Sequence, residues 1–139
     1  MELKEYLRTH FNWENRKIIS NRELMDIFYK ANYKPTSKLV EFLTCFYNAR
    51  FEFKQEKKVY DIDFRLKKVL EDHPFHLQDQ YLETLNVTNV VPFGEIQRGH
   101  MVLLADDQNN IYGVYDDFVK KLGNDYYKML DEFYKSSLV

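Results

Sequence analysis

Residues 90–115, VVPFGEIQRGHMVLLADDQNNIYGVY, decide how the chain reads. Val90-Val91-Pro92-Phe93 enters this stretch, Met101-Val102-Leu103-Leu104-Ala105 is a continuous apolar run, and Ile111 to Tyr115 closes it. Asp106-Asp107-Gln108-Asn109-Asn110 reads as a turn, because Asn and Asp tolerate left-handed backbone and hydrogen-bond their own chain. Three strands joined in this way form a meander. The middle strand is apolar on both faces, so it is predicted to lie inside the sheet with a layer on each side.

Upstream, the periodicity is two and then helical. Phe51 and Phe53 alternate with Glu52 and Lys54, and Tyr60, Ile62 and Phe64 alternate with Asp61 and Asp63. These are two half-buried strands of a hairpin that turns near Glu56-Lys57. Further back, Ser20 and Glu23 fit a capping box ahead of Leu24, Ile27, Phe28 and Ala31, one face of a helix. That helix should stop near Tyr33, since Pro35 disfavours helical backbone in Lys34. Thr36 or Ser37 then caps a second helix with Leu39, Val40, Leu43 and Phe46 inward and Phe42 beside them.

Between hairpin and meander, Leu66, Val69 and Leu70 start a short helix that Pro74 interrupts, and Leu77, Tyr81, Leu82 and Leu85 resume helical spacing before Asn86. Downstream of Asp116-Asp117, Phe118, Val119 and Leu122 are predicted as a short helix with Gly123 as its C-terminal cap. Asn124 or Asp125 caps a last helix buried through Tyr126 or Tyr127, Leu130, Phe133, Tyr134 and Leu138. All four glycines lie between Gly94 and Gly123. The expected fold is α+β: an N-terminal helix pair, an antiparallel sheet of hairpin plus three-stranded meander packed by helices, and a C-terminal helix, in one domain over 1–139.

The composition agrees with that scale. A chain of 139 residues with 45% hydrophobic residues suits a single globular domain. No apolar run approaches the ~18 residues that cross a bilayer. The start Met-Glu-Leu-Lys-Glu-Tyr lacks the apolar core of a secretion signal, and Cys45 is the only cysteine, which excludes an internal disulfide. A cytoplasmic protein is expected. Residues 1–70 carry 15 Lys/Arg and 10 Asp/Glu, net +5, whereas residues 71–139 carry 5 and 12, net −7. The acidic half argues against nucleic-acid binding there and suits attraction to a basic protein. The 11 Tyr, 11 Phe and single Trp serve first as core, and an exposed share of them would permit a partner surface or a homodimer.

No arrangement of residues reads as catalytic. Cys45 sits between Phe42 and Phe46, where a thiol stays neutral. His73 and His76 flank Pro74 with only Asp72 and Asp79 as further metal donors, and an interhelical turn explains them better. His100 reads as a sheet-end residue. Asp116-Asp117 reads as a turn and capping pair, because adjacent carboxylates in a strand point to opposite faces. Neither G-x-G-x-x-G nor G-K-[ST] is present. The expectation is no enzyme activity, no cofactor and no metal site.

The segments Val91-Pro92-Phe93-Gly94-Glu95, Gly99-His100-Met101-Val102-Leu103-Leu104, Ile111-Tyr112-Gly113-Val114-Tyr115-Asp116-Asp117 and Leu122-Gly123-Asn124-Asp125-Tyr126-Tyr127 with Leu130 resemble, in order, the third subfamily of the SUKH superfamily. Trp13 and Arg16 resemble that family's Trp-x-x-Arg element, and Phe42-Leu43 with Phe46 its second-helix signature. The chain departs from the pattern at Tyr47-Asn48-Ala49-Arg50, where relatives commonly carry a glycine pair, and at Asn110, where they commonly have Gly. Asn can replace Gly in a left-handed turn at modest cost.

The resemblance implies an α+β fold without catalysis: a bacterial immunity protein that binds one cognate secreted polymorphic toxin, often a nuclease, in a stoichiometric complex. Such a toxin is basic because its substrate is an anion, so an acidic surface can occlude its cleft. The residues expected to meet it are Glu95, Asp106, Asp107, Asp116 and Asp117 at strand ends, with Tyr112, Tyr115 and Tyr126 as aromatic anchors. A regulatory scaffold without a toxin is the alternative within the same superfamily. A metal-dependent hydrolase using Asp116, Asp117 and His100 is the alternative from another class.

Overall fold

The computed structural model describes residues 1–55, 58–75 and 79–137, so the expected Glu56-Lys57 turn, His76, Leu77 and Leu138 lie outside the described residues. Three helices open the chain, α1 (Leu3–Phe11), α2 (Asn21–Lys30) and α3 (Ser37–Phe46). The first was not anticipated from sequence, although Leu3 and Leu7, spaced i, i+4, are its buried residues. For α2, the Ser20 hydroxyl accepts the Glu23 N–H at 3.1 Å. For α3, Thr36 Oγ1 accepts the Leu39 N–H at 3.2 Å. The indole N–H of Trp13 donates to the Cys45 carbonyl at 2.8 Å and its ring stacks on Phe46 at 5.0 Å, closing the C-terminal end of α3. Arg16 is exposed and bonds Glu14.

A region without glycine still needs left-handed backbone where helices end. Asn12, Asn32, Asn48 and Asn86 supply it, with φ of 55°, 65°, 61° and 55°, following α1, α2, α3 and α5 respectively. Asn48 falls within the segment that departs from the SUKH-like glycine pair. At the β4–β5 turn the left-handed residue is Asn109 (φ 63°) and not Asn110.

The sheet has six antiparallel strands in sequential order: β1 (Arg50–Gln55), β2 (Lys58–Asp63), β3 (Val90–Ile96), β4 (Met101–Asp106), β5 (Ile111–Tyr115) and β6 (Phe118–Gly123). The helix expected at 118–122 is strand β6. Asp116-Asp117 is a two-residue hairpin loop with Asp116 left-handed at φ 47°, and Tyr115 pairs directly with Phe118. Gly123 (φ 119°) lies where the β5–β6 register shifts instead of capping a helix. The meander thus has four strands.

Strands β2 and β3 share only the rungs Ile62↔Ile96 and Asp63↔Glu95; beyond them α4 (Leu66–Asp72) packs against β3. Strand β3 bulges between Pro92 and Gly94, which accommodates a residue without an N–H and turns Phe93 fully into the core. A Cβ on Gly94 would stand 3.1 Å from Leu103 Cδ1 and 3.2 Å from the Asp63 carbonyl, so any side chain here would press on β2 and β4.

As expected, β4 is interior and covered on both faces. On the inner face Leu103 and Ala105 join Phe51, Ile62, Phe93 and Ile111 beneath α1 to α3 and α6 (Tyr126–Ser137). Helix α6 crosses this face: the Tyr126 ring lies 5.4 Å from Phe42 and 5.5 Å from Phe93, and Tyr134 lies 5.7 Å from Phe53. Asp125 accepts the Lys128 N–H at 2.9 Å and caps this helix. On the outer face Val90, Leu104, Tyr112 and Val114 are covered by Tyr81, Leu82 and Leu85 of α5 (Asp79–Leu85). Among the described residues no helix is long and apolar enough to cross a membrane.

Candidate protein-binding surface

The outer face divides into a saturated half and an open half. On β1–β3, Asp61, Asp63 and Glu95 are buried, at 5%, 4% and 2% exposure, although alternation placed the two aspartates toward solvent. Each is held by its own partners. Asp61 accepts from Arg50 Nε at 3.1 Å and from the Arg98 backbone N–H. Asp63 takes the Arg65 guanidinium through Nε at 3.0 Å and a terminal nitrogen at 2.7 Å. Burial raises the Asp63 pKa, but the hydrogen bonds and charge of Arg65 outweigh it and hold the group below the usual carboxylate range. Glu95 meets Lys68 Nζ at 3.3 Å, with His73 Nε2 at 3.6 Å from its other oxygen. These acids stabilise the sheet and are closed to a partner. Among the described residues, no group of three His, Cys, Asp or Glu side chains is arranged to hold a metal ion.

The open half surrounds α5. Its seven residues bury none completely, and Asp79 and Glu83 are exposed on it one turn apart. The β5–β6 loop brings Asp116 and Asp117 to this helix, where the Tyr81 hydroxyl reaches the Asp116 carbonyl at 3.4 Å. Burial first, and then the charges of Asp116 and Asp117, raise the Tyr81 pKa. Near the other end of α5, Asp107 is exposed at the β4–β5 turn and accepts from the Asn89 side chain at 2.9 Å. Asp79, Glu83, Asp107, Asp116 and Asp117 form no ion pair among the described residues. Lys121, opposite Tyr112 on the outermost strand, is a cation on this face.

The turn that carries Asp107 is rigidly built. Asp106 accepts the backbone N–H groups of Gln108 and Asn110, both at 2.9 Å, and the Tyr112 hydroxyl at 3.1 Å. Asn109 Oδ1 accepts from Tyr126 at 2.7 Å and from Thr36, tying the turn to α6 and to the cap of α3. Beside the turn is a cleft of about 380 Å³ walled by Leu85, Val87 and Tyr112 and rimmed by Asn89, Asp107 and Asn110.

Of the residues the sequence marked for a partner, Asp107, Tyr115, Asp116 and Asp117 are exposed. Glu95, Asp106, Tyr112 and Tyr126 are buried and structural: an acid at a strand end is often there to hold a turn or a neighbouring cation. Tyr115 is 42% exposed and stacks on His100 at 4.0 Å, so the His100 ring packs on a neighbouring ring at the sheet's end. Cys45 is half-buried beside Thr44. Sequence reasoning missed Asp79 and Glu83 as a surface. Their spacing along a helix whose opposite side is Leu82 and Leu85 was the available signal. No family model, curated protein or solved structure matches the chain.

Proposed function

We propose that the protein is a cytoplasmic immunity protein of the SUKH kind, acting without catalysis by binding a basic toxin, in the first instance a nuclease, and covering its active cleft. The observation that carries this reading is the set of exposed carboxylates on and around α5, Asp79, Glu83, Asp107, Asp116 and Asp117, which form no ion pair among the described residues. A nuclease cleft is cationic because phosphate must enter it, so a surface of this sign accelerates encounter and competes with the substrate. The cleft beside Asp107 suits an arginine or lysine side chain. Leu85, Val87 and Tyr112 would cover its methylenes, with Asp107 at its charged head.

The test is co-expression with any toxin encoded beside this gene. The wild-type chain should restore growth and co-purify with the toxin one to one. The quadruple reversal Asp79→Lys, Glu83→Lys, Asp116→Lys and Asp117→Lys should fold and fail to rescue. Rescue undiminished by the reversal removes the acidic face from the account. Absence of any complex favours the regulatory-scaffold reading.

A further inference from the structure

The outermost strand, β6, ends the sheet next to α6, and the two elements leave a cleft of about 190 Å³ between them. Leu122, Met129 and Phe133 supply its apolar lining, with Lys120 and Lys121 at the strand side and Glu132 at the helix side. In a two-residue hairpin the ladder bonds alternate: Tyr115 and Phe118 face each other in a bonded pair and Val119 is next along. The N–H and C=O of Val119 therefore point away from β5, toward the free edge. At the start of the same strand Phe118 is 53% exposed and follows the exposed Tyr115–His100 stack. The opposite edge is dressed differently, since Tyr6 and Phe11 of α1 pack their rings on Phe53 and Phe51 of β1.

We infer that β6 receives an extended acidic segment of a partner protein as a seventh strand, with one apolar side chain seated in the cleft against Leu122, Met129 and Phe133. Strand addition draws affinity from main-chain hydrogen bonds and specificity from pockets for alternate side chains. Both requirements are present along this edge. Charge selects the occupant. A second copy added antiparallel about Lys120 or Lys121 would set that lysine opposite its own counterpart, like charges that destabilise the pairing. An acidic segment reverses that sign. Its carboxylates belong opposite Lys121, on the side away from the cleft, and its apolar residues belong on the cleft side, beside Phe118 and along the Lys120 stem. This inference stands independently of the reading of the α5 face.

The test uses the whole chain, isotopically labelled, and two capped octapeptides, one alternating Val with Glu and the other Val with Lys. With the Glu peptide, saturable chemical-shift changes should concentrate at 118–123 and 129–136. Exchange of the Val119 amide should slow at least tenfold, and the Lys peptide should bind at least tenfold more weakly. Val119→Pro removes the outward donor while sparing bonds to β5, and should abolish binding. If that variant does not fold, Lys120→Glu with Lys121→Glu provides an independent check, expected to weaken the Glu peptide at least tenfold with an unchanged circular dichroism spectrum. Equal affinity for both peptides, shifts centred elsewhere, no saturable binding, or concentration-dependent self-association through 118–123 overturns the inference.

Discussion

On the inner face of the sheet, Phe51, Phe93, Leu103 and Ile111 meet rings from α3 and α6. On the outer face, Val90, Leu104, Tyr112 and Val114 meet the short α5, with Val87, Val102 and Val119 around them. The inner face joins both ends of the chain, since the Tyr134 hydroxyl of α6 donates to the Met1 carbonyl at 2.6 Å. The outer face gathers its helix from within the region between hairpin and meander, and surrounds it with unpaired acids. On the proposed reading, cohesion and function are separated across one sheet. The side with the larger apolar layer specifies the fold, and the side with the smaller layer displays charge that a partner can use.

Substitutions on the two faces should differ in size and in reach. Phe93→Ala removes a ring with no exposure and should lower global stability by about 3–5 kcal/mol, read from the denaturant midpoint. A loss below about 1 kcal/mol would mean that the inner layer is not what holds the fold together. Asp106→Ala is next. It strips the β4–β5 turn of four acceptor contacts and should cost about 2–3 kcal/mol, with the amides of Gln108 and Asn110 becoming unprotected. Leu82→Ala on α5 should cost about 1–2 kcal/mol, because that side chain is only half-buried. Its hydrogen-exchange signature should be local opening of 79–85 while β3 and β4 stay protected. Equal exposure of both layers would show one cooperative unit and erase the contrast.

The smallest effect is a slope. Asp63 has a folded-state pKa below the ordinary carboxylate value, so its ionised form contributes stability that is present above about pH 4 and lost as pH falls through the depressed native value. Asp63→Asn should therefore be less stable than wild type at neutral pH, and the gap should close in acid. A gap constant from pH 7 to pH 2 would deny the Arg65 pairing its role.

Much of the fold was legible because two signals are local. Ser20 and Thr36 announce helix starts through their hydroxyls, and alternation at Phe51, Phe53, Tyr60 and Ile62 gives the hairpin. Helix α1 went unread because Leu3 and Leu7 alone are a short stripe near the terminus. Strand β6 was misread because Phe118, Val119 and Leu122 also satisfy a helical spacing. Only the left-handed Asp116, which closes a tight hairpin, decides between the two. Asn12, Asn32, Asn48 and Asn86 do at the helix ends what glycine usually does, so glycine position alone understated the punctuation.

The candidate surface was half legible. Sequence gives the sign of Asp107, Asp116 and Asp117, but exposure depends on distant partners. Glu95 disappears beneath Lys68 of α4, and Asp61 beneath Arg50 of the neighbouring strand and the backbone of Arg98. Asp79 and Glu83 join the surface only because α5 lies along the outer face between two turns that are far apart on β5.

The central proposal is that the α5 face engages a toxin, and hydrogen exchange on the protein in complex with any toxin encoded beside its gene tests that most directly. The account predicts slowed exchange at 79–85, 107–110 and 115–117, with α2 and α3 unchanged. Protection confined to α2 and α3, with α5 exchanging as in the free protein, would contradict it.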